Sequence, residues 1–261
     1  MPDGELARLT AWFRTYVAEF CRRDPRAESV YRMKAEHTGR VRLEMRNLAA
    51  EAGLAGPELE AAETAALLHD VGRFEQYERY RTFRDGESEH HGRLALRVIR
   101  AHGLLEGRPA RERRRILAAV GFHNEPRLRS LPDPAAFLLL RLLRDADKLD
   151  ILSMATARMN GGAHGPLADF KLPPEGPCSP AVADELLAGR VVPIALLGSR
   201  CDAVLFFLSW VFDLNFPAAC RRVLDAGWFD LLAGAVPEAA GMQEPLGRAR
   251  ARLASGSASS V

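Results

Sequence analysis

The sequence predicts an all-α fold, and three features of the 261-residue chain support this prediction. Apolar residues recur every three or four positions along most segments, which is the spacing of one buried helix face. No segment shows the sustained alternation of apolar and polar residues that indicates a half-buried strand. Proline and glycine interrupt the chain where helices are expected to begin or end, as at Asp24-Pro25 and Gly56-Pro57. We therefore expect a helical bundle.

Six helices are predicted from the apolar stripes of residues 4–159. Their expected bounds are Gly4–Arg23, Arg26–Ala52, Glu58–Val71, Ser88–His102, Pro109–Phe122 and Pro134–Met159. Gly72 is expected to end the third helix, because glycine is common just past helix ends. The segment from Phe74 to Ser88, rich in Arg and aromatic residues, then forms a connection. It either overhangs a functional site or packs as a solvated loop.

The C-terminal part is predicted to be a helical extension. Residues 160–180 are rich in Gly and Pro and indicate a long loop. Three shorter helices are expected after this loop, at Pro180–Gly189, Arg200–Leu214 and Phe216–Ala226, and the segment Trp228–Val236 is expected to pack back onto the core. The tail, 238–261, ends in a run of Ser, Ala and Gly and is expected to be disordered. We predict one domain over residues 1–237, with its core at about 26–159 and the extension at about 180–237.

Composition excludes several classes of protein. The net charge is +2, from 36 basic and 34 acidic residues, so nothing indicates a nucleic acid polymer or an anionic membrane as partner. The N-terminus lacks the apolar core of a signal peptide, and the most apolar stretch, Ala203–Phe216, is too short to span a bilayer. The four cysteines form no Cys-x-x-Cys motif: Cys21, Cys178, Cys201 and Cys220. We expect unpaired thiols in a reducing cytoplasm.

Four histidines lie where an apolar stripe places an inward-facing residue: His37, His69, His91 and His123. Asp70 and Asp147 lie in similar positions. One such histidine is usually a hydrogen-bonded core residue, but six buried imidazoles and carboxylates are costly unless they are paired or bind a metal. A shared cation is the economical explanation for all six. His102 and His164 are expected on the surface or in loops.

The order of these residues resembles the HD-domain superfamily of metal-dependent phosphohydrolases. The resemblance covers residues from about 30 to 155 and consists of three motifs: His37-x-x-Arg40-Val41, His69-Asp70-Val71-Gly72-Arg73 and Asp145-Ala146-Asp147-Lys148-Leu149-Asp150. It implies an all-α HD-type bundle. It also implies that a divalent metal is bound by His37, His69, Asp70 and Asp147.

Two further motifs are similar to those of binuclear members, in which the Asp of the His-Asp pair bridges both ions. They are Glu89-His90-His91-Gly92 and Gly121-Phe122-His123-Asn124. The resemblance implies His91 and His123 as ligands of a second metal. His91 is preferred to His90 because it leads into the apolar stripe of α-helical spacing that follows; His90 remains an alternative as a substrate contact. Mixed imidazole and carboxylate ligands suit one or two ions of Fe, Mn, Zn, Co or Ni.

The resemblance implies hydrolysis of a phosphoester in a small phosphorylated metabolite, with a nucleotide favoured. Asp70 is then the catalytic bridging ligand, and Arg73 and Lys148, beside the ligands, are expected to be catalytic residues that also bind the phosphate. Arg73 is the favoured phosphate ligand, and Arg40 and Lys34, one helical turn from His37, are weaker candidates. For each of these the alternative is a surface salt bridge. Two other functions remain open. The same ligand types occur in HD-type di-iron oxygenases, which are the second hypothesis, and a non-catalytic module that binds or senses a nucleotide is the third.

Overall fold

In a computed structural model of the protein, residues 4–159, 170, 172–173, 176–237 and 241–258 are described. All regular elements within these ranges are helical, so the predicted all-α fold is confirmed. None of these helices combines the length and the hydropathy that crossing a lipid bilayer requires. The α-helices of the described ranges are α1 (Glu5–Arg23), α2 (Glu28–Glu51), α3 (Gly56–Leu68), α4 (Gly72–Tyr80), α5 (His91–Ala101), α6 (Ala110–Phe122), α7 (Pro134–Met159), α8 (Pro180–Leu187), α9 (Arg200–Ser209), α10 (Pro217–Asp225), α11 (Trp228–Ala233) and α12 (Gln243–Ala258).

The chain divides into two compact units, Met1–Ala146 and Asp147–Val261. The division falls within α7, which is one continuous helix. The first unit contains α1 to α6 and the beginning of α7, and the second contains the rest. The single domain predicted over residues 1–237 stays a prediction.

An aromatic cluster in the first unit fixes α4 against α1 and α2. The ring of Phe74 lies 5.7 to 6.1 Å, between centroids, from the rings of Phe13, Tyr16, Phe20 and Tyr31. All five side chains are buried. Because Phe74 is fixed in this way, its helix has a defined position beside the centre described below.

The predicted connection over residues 74–88 is wrong in its first half, because α4 continues to Tyr80. Gly72 begins this helix rather than ending the previous one. A Cβ atom on Gly72 would lie 2.5 Å from the backbone nitrogen of Ala95 and from the backbone oxygen of His91, so glycine is required for close packing of α4 on α5. Arg81, the residue that follows α4, has a left-handed backbone conformation with φ of 56° and ends the helix. A short 3₁₀ turn, Asp85–Glu87, then leads to α5.

The second unit is built around α9, in which all residues from Cys201 to Ser209 are buried. The structure differs here from the expected disordered tail, since residues 243–258 form α12, which packs on α8 and α10. Its buried residues, Pro245, Ala249 and Leu253, recur every fourth position. This stripe is short and interrupted by arginine, which is why composition obscured it. Residues 238–240 and 259–261 of the predicted tail, and most of the predicted loop over 160–180, including His164, lie outside the described residues.

The prediction of four unpaired thiols is wrong for one pair, because Cys178 and Cys201 form a disulfide with their Cα atoms 5.2 Å apart. Cys21 and Cys220 are not part of this disulfide. The chain before α8 returns to the start of α9, where the backbone nitrogen and the hydroxyl of Ser179 each donate to the Asp202 carboxylate at 2.7 Å. Sequence spacing alone does not reveal this return. The cysteines therefore give no support for a reducing compartment, and the cytoplasmic location stays a prediction.

Candidate metal centre

Helix α3 places the His-Asp pair inside the first unit. Every residue from Ala61 to Leu68 is buried, and the alanines among them let α2 and α6 pack closely on either side. The pair follows directly at the end of this helix, with His69 fully buried and Asp70 only 3% exposed. A carboxylate at this depth requires compensation by cations or hydrogen bonds.

The side chain of Asp70 lies between two pairs of histidines. Its Oδ2 atom is 3.6 Å from Nε2 of His37 and 3.8 Å from Nε2 of His69. Its Oδ1 atom is 3.6 Å from Nε2 of His91 and 4.0 Å from Nε2 of His123. These separations exceed those of hydrogen bonds, but they are the separations expected of ligand atoms around a common ion. Each carboxylate oxygen thus faces one pair of imidazoles.

Backbone hydrogen bonds define the orientation of two of these rings. Nδ1 of His69 donates to the carbonyl oxygen of Ala66 at 2.7 Å, and Nδ1 of His123 donates to that of Val120 at 2.8 Å. Because a carbonyl oxygen only accepts, Nδ1 carries the proton and Nε2 presents its lone pair towards Asp70. Nitrogen lone pairs that converge on a buried carboxylate are the arrangement that a metal ion requires.

The ring of His91 has the same orientation. Its Nδ1 lies 2.8 Å from both carboxylate oxygens of Asp85, and its Nε2 lies 3.1 Å from Nε2 of His123. Burial and the charge of Arg73 lower the pKa of His91 to about 4, although Asp85 acts in the opposite direction, so the ring is neutral near pH 7. Two lone pairs at this distance repel each other. Two nitrogens bound to one ion at about 2.1 Å stand roughly 3.0–3.4 Å apart, so the pair fits a shared metal.

Two groups of potential ligand atoms therefore meet at one carboxylate. His37, His69 and Asp70 form one group, and Asp70, His91 and His123 form the other, with all ligand atoms of a group within 4.8 Å of each other. The structure brings His91 to the centre, whereas the side chain of His90 accepts a hydrogen bond from the backbone nitrogen of Arg93 at the start of α5. The role of these residues as ligands stays a prediction, and the donor set is compatible with divalent transition metals.

The remaining predicted residues are Asp147, Lys148, Arg40 and His102. Asp147 is the first residue of the second unit, on α7 directly after Ala146, and its role as a ligand stays a prediction. Within that unit, Nζ of Lys148 pairs with Asp213 at 2.7 Å, so a salt bridge already engages this predicted phosphate ligand. Arg40 lies on the exposed side of α2. His102 is exposed, as expected.

Two cations contact the central carboxylate. Nζ of Lys34 lies 3.1 Å from Oδ2 of Asp70, and Nε of Arg73 lies 3.3 Å from Oδ1. Although burial opposes ionisation, Lys34, His69 and Arg73 hold the pKa of Asp70 well below its ordinary value. Asp70 is therefore a carboxylate near neutral pH, which is the form that binds metals.

Three polar residues next to His91 were not predicted from the sequence, namely Gln76, Asp85 and Asn124. The amides of Gln76 and Asn124 donate to the Asp85 carboxylate at 2.9 Å and 2.8 Å. Burial alone would raise the pKa of Asp85, but the hydrogen bond from His91 and the charge of Arg73 hold it below the ordinary value. A helix over 72–80 would have placed Gln76 one turn after Arg73. No periodic signal could have identified Asp85, because it lies in a turn.

Comparison with known proteins agrees with this geometry. The family model described as "HD domain" matches residues 14–152, which is more than half of the chain. No curated protein and no solved structure matches the chain. The matched range includes the histidines and the aspartate that converge in the first unit. HD domains are all-α proteins that bind divalent metals and are mostly hydrolases, and the chain belongs to this family.

Proposed function

We propose that the protein is a metal-dependent phosphohydrolase that cleaves a phosphoester of a small phosphorylated metabolite, with nucleotides as the favoured substrates. The observation that carries this proposal is the position of Asp70, whose two oxygens each face a pair of histidine Nε2 atoms. A carboxylate in this position is suited to bridge two cations. The preference for nucleotides rests on the family resemblance.

The residues divide between two metal positions. His37, His69 and Asp70, with Asp147 as a predicted fourth ligand, would hold the first ion, and Asp70, His91 and His123 would hold the second. When bound, paired divalent ions lower the pKa of a water molecule and stabilise negative charge on phosphate oxygens. The protein contributes ligand side chains that are held in position and buried from solvent.

Lys34 is the residue best placed to bind a phosphate oxygen. Arg73 is already directed to acceptors of the chain, since its Nη1 donates to Gln76 at 2.9 Å and to the carbonyl oxygen of Phe83. The ammonium group of Lys34 has three donors, and the structure gives it Asp70 as an acceptor and the face of the Phe83 ring at 5.0 Å. Its side chain is 15% exposed, so a ligand can reach it. We infer that Arg73 orients Asp70, whereas Lys34 contacts substrate.

The test is phosphate release from nucleoside mono-, di- and triphosphates and sugar phosphates by the Mn²⁺-loaded protein. We expect Asp70→Asn to lower kcat/KM by more than about 100-fold, because the amide cannot bridge two ions. Asp133→Asn is the matched control, since that carboxylate is partly exposed and pairs with Arg115 at 2.8 Å.

Hydrolysis by Asp70→Asn at the wild-type rate would contradict the proposal. Oxygen consumption by the iron-loaded protein, with no phosphate release under any metal, would favour the di-iron oxygenase instead.

A further inference from the structure

We propose that Asp85 is a positioning residue that holds His91 in the orientation needed to bind the second metal ion. The inference rests on the proposed function, because it assumes the two metal positions that share Asp70. Asp85 itself is neither a proposed ligand nor a proposed substrate contact. Its effect is exerted through the ring of His91.

The need for Asp85 follows from where His91 lies in its helix. His69 and His123 each follow a helix, so their Nδ1 atoms donate to a carbonyl oxygen three residues earlier in the same helix. His91 is the first residue of α5, and the first turn of a helix has no preceding turn to supply such a carbonyl. The carboxylate of Asp85, six residues earlier, takes this place.

Asp85 fixes both the ring and the backbone of His91. Each carboxylate oxygen lies 2.8 Å from Nδ1, and Oδ1 also lies 3.4 Å from the backbone nitrogen. Contact with both oxygens restricts rotation of the imidazole, and it assigns the proton to Nδ1. Nε2 is then left to face Asp70 and His123.

The carboxylate of Asp85 is itself held from two helices. Gln76 on α4 donates to Oδ1 at 2.9 Å, and Asn124, which follows α6, donates to Oδ2 at 2.8 Å. The amide of Gln76 is fully buried, and its nitrogen also lies 2.8 Å from Ser88 Oγ and 2.9 Å from the carbonyl oxygen of Glu89, so its two hydrogens are shared among three acceptors. The turn that carries Asp85 is thereby tied to the helices around the centre, so the orientation of His91 is set before any ion binds.

A carboxylate that accepts a hydrogen bond from a metal-binding histidine also makes the ring a better electron-pair donor to the metal. Loss of such a partner typically weakens metal binding about 10–100-fold. The effect is expected at the second position only. His91 belongs to the second position and faces Oδ1 of Asp70, whereas His37 and His69 belong to the first position and face Oδ2.

The test is titration of the metal-free protein with Co²⁺, followed by visible absorption and by calorimetry. We expect the wild type to bind two ions. Asp85→Asn is expected to bind the first with unchanged affinity and the second roughly 10–100-fold more weakly. The asparagine side chain has one acceptor oxygen, whereas both oxygens of the Asp85 carboxylate accept hydrogen bonds from Gln76, Asn124 and His91. Asp133→Asn is expected to behave as the wild type, and Asp85→Glu to recover part of the lost affinity.

Asn124→Ala provides a second test, because it removes a donor to Asp85 and leaves the turn unchanged. We expect an intermediate loss at the second position. If Asp85→Asn bound both Co²⁺ ions with wild-type affinity, this inference would be overturned and the proposed function would stay intact. Equal losses of Co²⁺ affinity at both positions would also overturn the inference, because they would indicate only a structural role for Asp85. A wild-type protein that binds one Co²⁺ ion would overturn the inference alone, and one that binds none would overturn both proposals.

Discussion

Single residues determine the protonation of the centre, and His91 is the clearest case. In the folded protein, burial and Arg73 lower the pKa of His91 to about 4, against an ordinary value of 6.5. As the pH falls through about 6.5, the unfolded chain gains a proton at this residue, whereas the folded protein does not do so until about pH 4. The unfolded state is therefore stabilised relative to the folded state within this window.

We predict that the free energy of unfolding of the metal-free protein falls as the pH decreases from about 6.5 to about 4. His91 contributes up to about 3 kcal/mol to this fall. The measurement is urea unfolding in the presence of a chelator at about pH 7, 6 and 5. His91→Gln lacks the titrating group, so the difference in stability between wild type and variant is expected to shrink at low pH. A difference that does not change with pH would contradict the assignment.

Most ligand candidates were predictable at the residue scale because they obey a helical period. His37, His91 and His123 lie on apolar stripes, and a buried histidine among alanine and leucine is a recognisable signal. Asp85 and Gln76 gave no such signal. Their importance comes from a turn that folds back onto α4 and α5, and this return depends on tertiary packing that no local spacing encodes.

At the scale of helices, glycines determine how closely α4, α5 and α6 approach. A Cβ on Gly72 would lie 2.5 Å from backbone atoms of α5, and a Cβ on Gly92 would lie 3.0 Å from the backbone oxygen of Gly121 on α6. The carbonyl oxygen of His91 takes part in the first contact, and Gly92, which makes the second, is the next residue in α5. The approach of α6 to α5 is what brings Nε2 of His123 to 3.1 Å from Nε2 of His91.

We predict that Gly72→Ala destabilises the protein by about 1–3 kcal/mol or more, because the added methyl group meets backbone atoms that cannot rotate away. Gly39→Ala is the matched control. Gly39 lies within α2, and a methyl group added there would have no atom of another segment within 4 Å, so this change is expected to stabilise the helix by about 0.5–1 kcal/mol. Chemical denaturation of both variants with chelator present measures the effect. Equal stability of the two variants would contradict the packing argument.

The same glycine explains why α4 was missed from the sequence. Glycine after an apolar helix usually marks its end, and this rule predicted an end at Val71, whereas α3 ends three residues earlier, at Leu68. The rule does not distinguish a glycine that ends one helix from a glycine that lets the next helix pack closely. The structure shows that the chain continues in a packed helix, because the ring of Phe74 is buried among four aromatic neighbours.

For the whole molecule, the family match and the metal centre account for the first unit more fully than for the second. The family match ends at residue 152. Two features of the second unit, α12 and the disulfide between Cys178 and Cys201, were not predicted from the sequence. Both depend on contacts between segments distant in sequence. The helical stripes predicted α8, α9 and α10 of this unit, but periodicity carries no information on which segments pair.

The disulfide is therefore the feature of the second unit that most needs a direct test. We predict that alkylation of the protein, denatured without reductant, labels two cysteines, Cys21 and Cys220, and that prior reduction raises the number to four. The bond joins residues 23 apart, and a loop of this length contributes on the order of 3 kcal/mol in the chain-entropy description. Cys178→Ser is therefore expected to raise amide hydrogen exchange in α9, the core helix that begins beside the bond. Cys21→Ser is the control and is expected to leave exchange in α9 unchanged. Four labelled cysteines without reductant would contradict the pairing, and wild-type exchange in Cys178→Ser would show that the capping contacts of Asp202 suffice to hold the start of α9.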